Sequence, residues 1–167
     1  NRLYNHARVI IGYQNIEESR IDRKFNKASE NHRIEKLDIF TFNADFDKKI
    51  RRHELRYGAD ANYNYVNSTA YTKDIKMDTL GTLDTRYPDG GSKMYSIAAY
   101  LTHTLEINNK IIINDGIRFT NVNLNSTFIN QQFFPFPFSD VNQKNNALNG
   151  NIGLIYMPTN SIRINTG

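Results

Sequence analysis

One segment decides the fold of this chain, and it reads His53-Glu54-Leu55-Arg56-Tyr57-Gly58-Ala59-Asp60-Ala61-Asn62-Tyr63-Asn64-Tyr65. Its odd positions carry His, Leu, Tyr and Ala, whereas its even positions carry Glu, Arg, Gly, Asp and Asn. Side chains of a β-strand point alternately to opposite faces, so this pattern predicts a strand with one apolar and one polar face. At about 3.3 Å per residue and a tilt of about 40°, the strand rises on the order of 30 Å, enough to cross the apolar band of an outer membrane.

Six further segments repeat the alternation less cleanly. Their apolar faces are Val9, Ile11 and Tyr13; Phe40, Phe42, Ala44 and Phe46; Tyr95, Ile97, Ala99, Leu101 and Leu105; Ile111, Ile113, Ile117 and Phe119; Leu148, Gly150, Ile152, Leu154 and Tyr156; and Ile162 and Ile164. Two polar residues, His103 and Asp115, fall on apolar faces as exceptions. The sequence therefore predicts an all-β chain of about seven strands.

The connections between these segments alternate in length. Long polar links cover residues 19–35, 67–93 and 121–146, and short ones lie near Asp47 to Arg51, Glu106 to Lys110 and Pro158 to Ser161. Bacterial barrels have short periplasmic turns and longer outer loops. We therefore predict a segment of an antiparallel up-and-down transmembrane β-barrel whose first strand runs outward. A soluble aromatic-rich β-sandwich remains an alternative, because its strands also alternate.

Aromatic residues are expected at both edges of the apolar band, where amphipathic rings sit at headgroup level. With the first strand running outward, one group falls near the outer ends of the strands: Phe40, Tyr63, Tyr65, Tyr95 and Phe119. A second group falls toward the inner ends: Phe46, Tyr57 and Tyr156. Together these residues form the predicted aromatic girdle.

Composition excludes several classes of protein. The 167 residues contain no Cys, which rules out disulfides and thiolate metal sites, and the net charge of +4 is scattered rather than gathered on a basic face that would bind nucleic acid. No run of about 18 apolar residues predicts a transmembrane helix, and the first residues do not resemble a secretory signal, so we expect an internal fragment. Neither a catalytic motif nor metal-ligand spacing among His6, His32, His53 and His103 is present, and we expect no enzyme activity and no metal.

Several motifs carry a family resemblance. They are Tyr13-Gln14 followed by Glu18-Ser19-Arg20, then Leu55-Arg56-Tyr57-Gly58-Ala59-Asp60, Arg86-Tyr87-Pro88-Asp89-Gly90-Gly91-Ser92, Ala99-Tyr100, Asn114-Asp115-Gly116-Ile117-Arg118-Phe119, and the terminal Ile164-Asn165-Thr166-Gly167. In this order they resemble a TonB-dependent outer-membrane receptor of the Bacteroidetes type, over essentially the whole of residues 1–167. The resemblance implies a barrel of 22 strands, of which this chain is a part without the N-terminal plug.

The family resemblance also implies a function and partners. Such receptors lie in the bacterial outer membrane, contact its lipid, and import a scarce solute with energy from an inner-membrane TonB complex, which they contact through an N-terminal region absent here. No cofactor is implied. The motifs at Arg86 to Ser92 and Thr166-Gly167 look more like iron or haem receptors than glycan porters, so a ferric siderophore or haem is the favoured solute. A passive porin-like barrel and a soluble carbohydrate-binding or adhesion sandwich remain alternatives.

The polar face of the strands predicts a set of residues directed to the lumen. These are Arg56, Asp60, Asn62, Tyr100, Thr102 and Arg118. They are expected to contact the plug and solvate the wall, or to contact solute directly. Arg118, between Gly116 and Thr120, needs water or a carboxylate partner on the plug or a neighbouring strand.

The long loops supply the candidate ligand-binding residues, because binding residues concentrate on loops held by a rigid scaffold. These are His32, Arg86, Tyr87, Asp89, Phe133, Phe134, Phe136 and Phe138. The four Phe rings either pack against neighbouring loops or the plug, or form a platform for an apolar or planar ligand. His32 is either a haem-iron ligand or a solvated loop residue, and residues 87–91 are either ligand contacts or a rigid turn.

Overall fold

The computed structural model describes residues 2–159 and 161–167, and these form eight β-strands without a helix. The strands are β1 (His6–Arg23), β2 (Ser29–Ile50), β3 (His53–Asp74), β4 (Thr79–Thr82), β5 (Ser92–Asn108), β6 (Ile111–Thr127), β7 (Asp140–Thr159) and β8 (Ile162–Thr166). Seven of them pair antiparallel in the order β1-β2-β3-β5-β6-β7-β8, and β4 pairs only with the end of β3. Within the described ranges, no helix has the length and hydropathy to span a membrane.

The sheet confirms the predicted all-β, up-and-down architecture. Each strand on the main path pairs with its predecessor on that path, as the seven alternating segments predict. The short strand β4 was not predicted from the sequence. Residues 2–159 and 161–167 form one sheet rather than two packed layers, so the sandwich interpretation is wrong.

The predicted long links are wrong in extent, because the strands continue far into them. The connections between strands are residues 24–28, 75–78, 83–91 and 128–139 instead of 19–35, 67–93 and 121–146. Backbone hydrogen bonds alone sustain an antiparallel ladder, so a strand persists where both of its faces are polar. Side-chain alternation shows only where the two faces meet different solvents, and it ends earlier than the strand does.

The short connections are found at the opposite end of the sheet. Strand β2 ends at Ile50 and β3 begins at His53, while β5 ends at Asn108 and β6 begins at Ile111. The third predicted turn, Pro158 to Ser161, includes residue 160, which lies outside the described residues. Among the resolved turns the short ones share one end of the sheet, hereafter the short-turn end, and the longer ones share the other, hereafter the loop end.

One face of the sheet is apolar and uncovered. The register aligns Tyr13, Phe40, Tyr63 and Tyr95 in one cross-strand row, and the Phe46 and Tyr57 rings stack with centroids 5.4 Å apart. All eight predicted girdle residues lie on this face, by strand parity: Phe40, Phe46, Tyr57, Tyr63, Tyr65, Tyr95, Phe119 and Tyr156.

The apolar face has almost no protein packed against it. Ile11 is 79% exposed, Leu148 69% and Ile152 72%, and the buried hydrophobic side chains of the described residues are Ala44 and Ala98 alone. Apolar surface of this extent requires cover from lipid or another protein, because its exposure to water is strongly unfavourable. The sheet thus behaves as a wall rather than as a domain with its own core.

The two polar exceptions on the apolar face contact each other. His103 Nδ1 lies 3.1 Å from Asp115 Oδ2, and His103 Nε2 lies 2.9 Å from His53 Nδ1. The two imidazole rings are stacked with centroids 5.2 Å apart. A polar group on an apolar face is tolerated when a neighbour satisfies its hydrogen bonds, which explains why alternation fails at these positions.

Candidate functional site

The face opposite the apolar one carries two ion pairs in its middle section. Arg118 Nη2 lies 2.6 and 2.8 Å from the two carboxylate oxygens of Asp60. The pair joins β6 to β3 across β5, where Ala98 is opposite Asp60 in register and is 3% exposed. The partner expected for Arg118 is therefore a carboxylate of a nearby strand.

A second ion pair lies beside the first on the same face. Arg8 Nη2 is 3.1 Å from Asp45 Oδ2, and the Tyr100 hydroxyl donates to Asp45 Oδ1 at 2.5 Å. The Tyr100 ring lies over Gly58, since a Cβ there would be 2.9 Å from the Tyr100 hydroxyl and 2.4 Å from the Ala44 carbonyl oxygen. Gly58 is thus required by a close approach of ring and backbone.

The remaining predicted lumen residues lie on this face by strand parity. Arg56 Nη2 is 2.7 Å from Glu54 Oε1, and the Thr102 hydroxyl donates to the Arg56 carbonyl at 3.4 Å. Asn62 Oδ1 is buried and accepts no hydrogen bond within the described part of the chain. The structure brings Asp60, Tyr100 and Arg118 together, whereas the side chains of Arg56 and Asn62 form no hydrogen bond with that group in the described part of the chain.

A buried acid–base cluster lies on the same face toward the loop end. Glu35 is 6% exposed, and its Oε2 lies 3.5 Å from Arg86 Nη1. The Ser68 hydroxyl, 1% exposed, donates to the other Glu35 oxygen at 3.4 Å, and Arg86 also lies 3.6 Å from Glu18 Oε1. The hydrogen bond from Arg20 and its charge hold the pKa of Glu18 below its ordinary value, with a smaller contribution from Arg86.

A second contact anchors the link between β4 and β5 to the wall. Arg33 Nη2 donates to Asp84 Oδ1 at 2.8 Å, and Arg33 Nε donates to the Asp84 carbonyl at 3.2 Å. Together with Arg86 on Glu35, this fixes residues 83–91 against β2 on the face opposite the apolar one. Arg86 therefore belongs to the scaffold of the loop end, and a direct contact with ligand would compete with these partners.

Asp89 joins this link to the loop that follows β6. Its carboxylate accepts from the Ile129 amide at 2.8 Å and from the Asn130 amide at 2.9 Å. The backbone adds Gly90 N to Thr127 O at 2.9 Å and Thr127 N to Gly91 O at 3.1 Å, with Gly91 at φ 88°. Residues 87–91 therefore form the rigid turn that Pro and Gly predict, and Tyr87 remains 45% exposed beside it.

The Phe rings of residues 128–139 form a stacked cluster. Phe136 stacks with Phe134 at a centroid distance of 6.1 Å and with Phe138 at 5.2 Å, and Phe128 meets Phe136 edge-on at 5.3 Å. Exposure nevertheless stays between 37% and 45% for Phe133, Phe134, Phe136 and Phe138. The rings therefore pack on one another within their own loop and leave part of their surface exposed.

A cavity of about 240 Å³ separates this aromatic cluster from the outer part of β3. Its lining mixes hydroxyl, carboxylate, amide and aromatic groups, from residues that include Ser68, Thr69, Thr85, Asp89, Asn130 and Phe133. Asp140 closes the base of the loop, and hydrogen bonds from Ser139 and Thr127 hold its pKa below the ordinary value. Together these features form a recess of mixed polarity at the loop end of the sheet.

The predicted environment of His32 is wrong. His32 lies within β2 rather than in a loop, and its ring stacks on Tyr71 at a centroid distance of 4.7 Å. Its Nε2 is 3.4 Å from Glu30 Oε2, and its side chain is 13% exposed. The His32 ring packs against a residue of the neighbouring strand, because β2 and β3 extend well beyond the alternating segments.

Sequence reasoning missed most of the loop-end cluster. Arg33, Glu35, Ser68 and Asp84 lie in stretches predicted as long polar links, and no local spacing connects them with one another or with Glu18. Asp45 lies within a predicted alternating strand and Arg8 beside another, but the alternation does not predict their pairing. No group of three His, Cys, Asp or Glu side chains within residues 2–159 and 161–167 is arranged to hold a metal ion.

Comparisons with known proteins agree with this geometry. The family model described as "TonB dependent receptor-like, beta-barrel" matches residues 2–167. A search of curated proteins found no match.

Solved structures share the fold at low sequence identity. The chain is similar to the ferric yersiniabactin uptake receptor FyuA from Yersinia pestis (TM-score 0.62, 16% identity), to the copper transporter OprC (0.67, 11%) and to the ferric citrate transporter FecA in the unliganded form (0.59, 15%). Each match covers 92% of this chain but only 23%, 25% and 23% of the other protein. The chain therefore spans about a quarter of the length of these structures.

Proposed function

Because the chain belongs to the TonB-dependent receptor family, within its β-barrel domain, we propose that it forms part of the wall of an outer-membrane receptor for energised solute uptake. The observation that carries this proposal is the two-sided sheet. One face exposes Ile11, Leu148 and Ile152, and the other carries the ion pairs of Asp60 and Asp45. A wall between lipid and a wet lumen explains both faces at once.

The proposed location is the bacterial outer membrane, with lipid covering the apolar face. Support comes from the aromatic row of Tyr13, Phe40, Tyr63 and Tyr95 at one edge of the apolar band, and from Phe46 stacked on Tyr57 toward the other edge. The longer connections then face the exterior, and the short turns face the periplasm. The plug, the contact with TonB and the remaining strands are proposed to lie in other parts of the protein.

The proposed solute is a ferric siderophore, with haem as the second candidate. The recess beside the aromatic cluster offers hydroxyl, amide and ring surfaces, which suit a chelate with polar and planar parts. His32 is stacked on Tyr71 beside Glu30, so ligation of haem iron would require that stack to open. FyuA and FecA, which share the fold, take up ferric yersiniabactin and ferric citrate, and OprC transports copper.

The proposal is tested with the full-length receptor in a receptor-deficient Gram-negative host. Uptake of a panel of radiolabelled ferric siderophores and of haem is measured with and without functional TonB. The Phe134→Ser/Phe136→Ser/Phe138→Ser variant is expected to weaken uptake affinity by at least about tenfold, since truncation of even one dominant aromatic anchor at an interface costs more than about 1 kcal/mol. Phe25→Ser is the matched control, because Phe25 is an exposed ring of another loop-end turn.

Three results would contradict the proposal in different ways. A full-length protein that stays monomeric and dissolved without amphiphile would exclude the membrane wall. Uptake that is independent of TonB would indicate a passive porin-like barrel. Equal losses in the Phe25 and aromatic-cluster variants would show that the cluster has no particular part in solute binding.

A further inference from the structure

The turn between β2 and β3 carries a concentration of positive charge that the proposed uptake function does not use. It reads Lys48-Lys49-Ile50-Arg51-Arg52-His53, with four Lys or Arg among six residues, and is called the basic turn below. Arg51 occupies the tip with φ 55°. Lys110 lies in the neighbouring turn between β5 and β6.

The two faces differ in charge at this end of the sheet, because the acids lie mainly on the lumen face, where Lys49 also lies opposite Glu54. By strand parity, Lys48 and His53 lie on the apolar outward face, whereas the acidic residues Asp47, Glu54 and Glu106 lie on the lumen face. The acid on the outward face in this region is Asp115, and His103 contacts it at 3.1 Å. The outward side of the short-turn end is therefore positive, although the lumen side is mixed.

The basic turn is held in a defined place. Arg52 Nη1 donates to the Ile107 carbonyl at 2.7 Å, and the Glu106 amide donates to the Arg52 carbonyl at 2.9 Å. These bonds tie the turn to the end of β5, next to the turn that holds Lys110. The basic residues of two adjacent turns therefore lie along one edge of the sheet.

Apolar side chains border these cations on the same face. Ile50, between Lys48 and Arg51, is 49% exposed, and Ile107 is 39% exposed. Phe46 and Tyr57 follow immediately along the strands. Cations next to exposed aliphatic and aromatic groups at the end of an apolar band match a bilayer interface, where long basic side chains reach phosphate groups while their neighbours insert among acyl chains.

We propose that the basic turn binds the phosphate groups of anionic phospholipids in the periplasmic leaflet of the outer membrane. This inference rests on the proposed membrane location of the barrel. A lipid is the partner rather than an acidic protein, because the apolar surface continues up to Ile50 and a soluble partner could not cover the cations without displacing lipid from it. Each basic residue near an anionic surface strengthens binding by about fivefold.

The test uses purified full-length receptor in non-ionic detergent, titrated with cardiolipin, phosphatidylglycerol or phosphatidylethanolamine and followed by native mass spectrometry. Lys48→Gln/Arg51→Asn is the test variant, since Asn tolerates the positive φ at position 51 and Arg52 keeps its bond to Ile107. We expect affinity for the anionic lipids to fall about thirtyfold, equivalent to about 2 kcal/mol, with little change for phosphatidylethanolamine. Lys24→Gln/Lys27→Gln removes the same charge at the opposite end and is the matched control.

Each outcome supports or overturns the inference. A selective loss in the Lys48/Arg51 variant supports it, provided that the variant keeps the heat-modifiable gel migration of a folded barrel. Equal losses in both variants would reduce the effect to net charge, and unchanged affinity would remove the site. Competition by inorganic phosphate at equal concentration would show an anion site without lipid specificity. A receptor that binds no detergent overturns the membrane location itself, whereas an amphiphile-dependent receptor with unselective binding overturns only this inference.

Discussion

The two halves of strand β3 have different side-chain patterns, although the backbone pairing of β3 with β2 continues through both. From His53 to Tyr65 the strand alternates apolar and polar side chains, and its apolar side chains face outward. From Val66 to Asp74 both faces carry polar residues, with Asn67 and Thr69 on one and Ser68 and Thr72 on the other. Pairing with β2 nevertheless continues to Asp74, and Ser68 is 1% exposed. The first half is shaped by the solvents on its two sides, and the second by backbone pairing and by loop segments packed on it.

The largest expected difference between the two halves is the loss of stability that a new charge causes in each of them. Ala61→Arg sets a guanidinium in the middle of the apolar face and should destabilise the full-length receptor in lipid vesicles by about 2–4 kcal/mol. Thr69→Arg, on the same face of the same strand but beyond the apolar band, should change stability by less than about 0.5 kcal/mol. Denaturant unfolding of both variants measures the difference, and equal losses would mean that the two halves meet the same environment.

Gly58→Ala should have the next largest effect. The new Cβ would lie 2.4 Å from the Ala44 carbonyl and 2.9 Å from the Tyr100 ring, so backbone and ring must both move, at about 1–3 kcal/mol. Gly150→Ala is the control, since its nearest neighbour would be 3.4 Å away. Unfolding in vesicles compares the two, and a neutral Gly58 variant would show that the Tyr100 ring is not fixed on the wall.

Asp89→Ala sharpens the comparison at the loop end. Removing the carboxylate frees the Ile129 and Asn130 amides, and at about 1 kcal/mol per hydrogen bond their exchange with solvent should accelerate about fivefold. Hydrogen-exchange mass spectrometry of residues 128–139 measures this change. Asp78→Asn, in the turn before β4, is the control and should leave that segment unaltered. Unchanged exchange in the Asp89 variant would mean that the backbone pairing of Gly90 and Gly91 holds the loops together alone.

The smallest expected effect is the contribution of Glu18 to the pH dependence of stability. Arg20 holds the pKa of Glu18 below the ordinary glutamate value of about 4.3, so the ionised folded form is favoured above that pH, and this stabilisation is lost as pH falls through the lowered pKa. Glu18→Gln should therefore flatten the acid side of the stability profile slightly. Thermal unfolding at stepped pH measures it, and identical profiles would show that the contact is screened by solvent.

The sequence predicted the alternating segments of the strands better than it predicted the loop end of the sheet. Period-two alternation located all seven strands of the main path and placed the eight predicted girdle residues on one face, because the side chains of a strand point alternately to two faces that meet different surroundings. The partner of Arg118 could be specified only as a carboxylate. That this carboxylate is Asp60 depends on the registers of β3 with β5 and of β5 with β6, which no local sequence pattern specifies.

The loop end was predicted least well, and for a physical reason. Residues 19–35 look like loop because both of their faces meet polar surroundings, so alternation disappears although the backbone still pairs. His32 was consequently placed in a loop, and the contacts of Glu35 with Arg86 and Ser68 were not foreseen. These contacts join residues far apart in sequence, and only the folded chain brings them together.

The sequence by itself therefore determined the fold class, the strand faces, the face that carries the aromatic residues and the family, since these depend on side-chain period and on local motifs. Tertiary structure alone decided how far each strand runs, which charges pair across the lumen face, and how residues 83–91 and 128–139 are fixed together. The strand from His53 to Tyr65 shows why the division falls there. Its alternation records the solvent on each side, whereas its length and its partners depend on neighbouring strands.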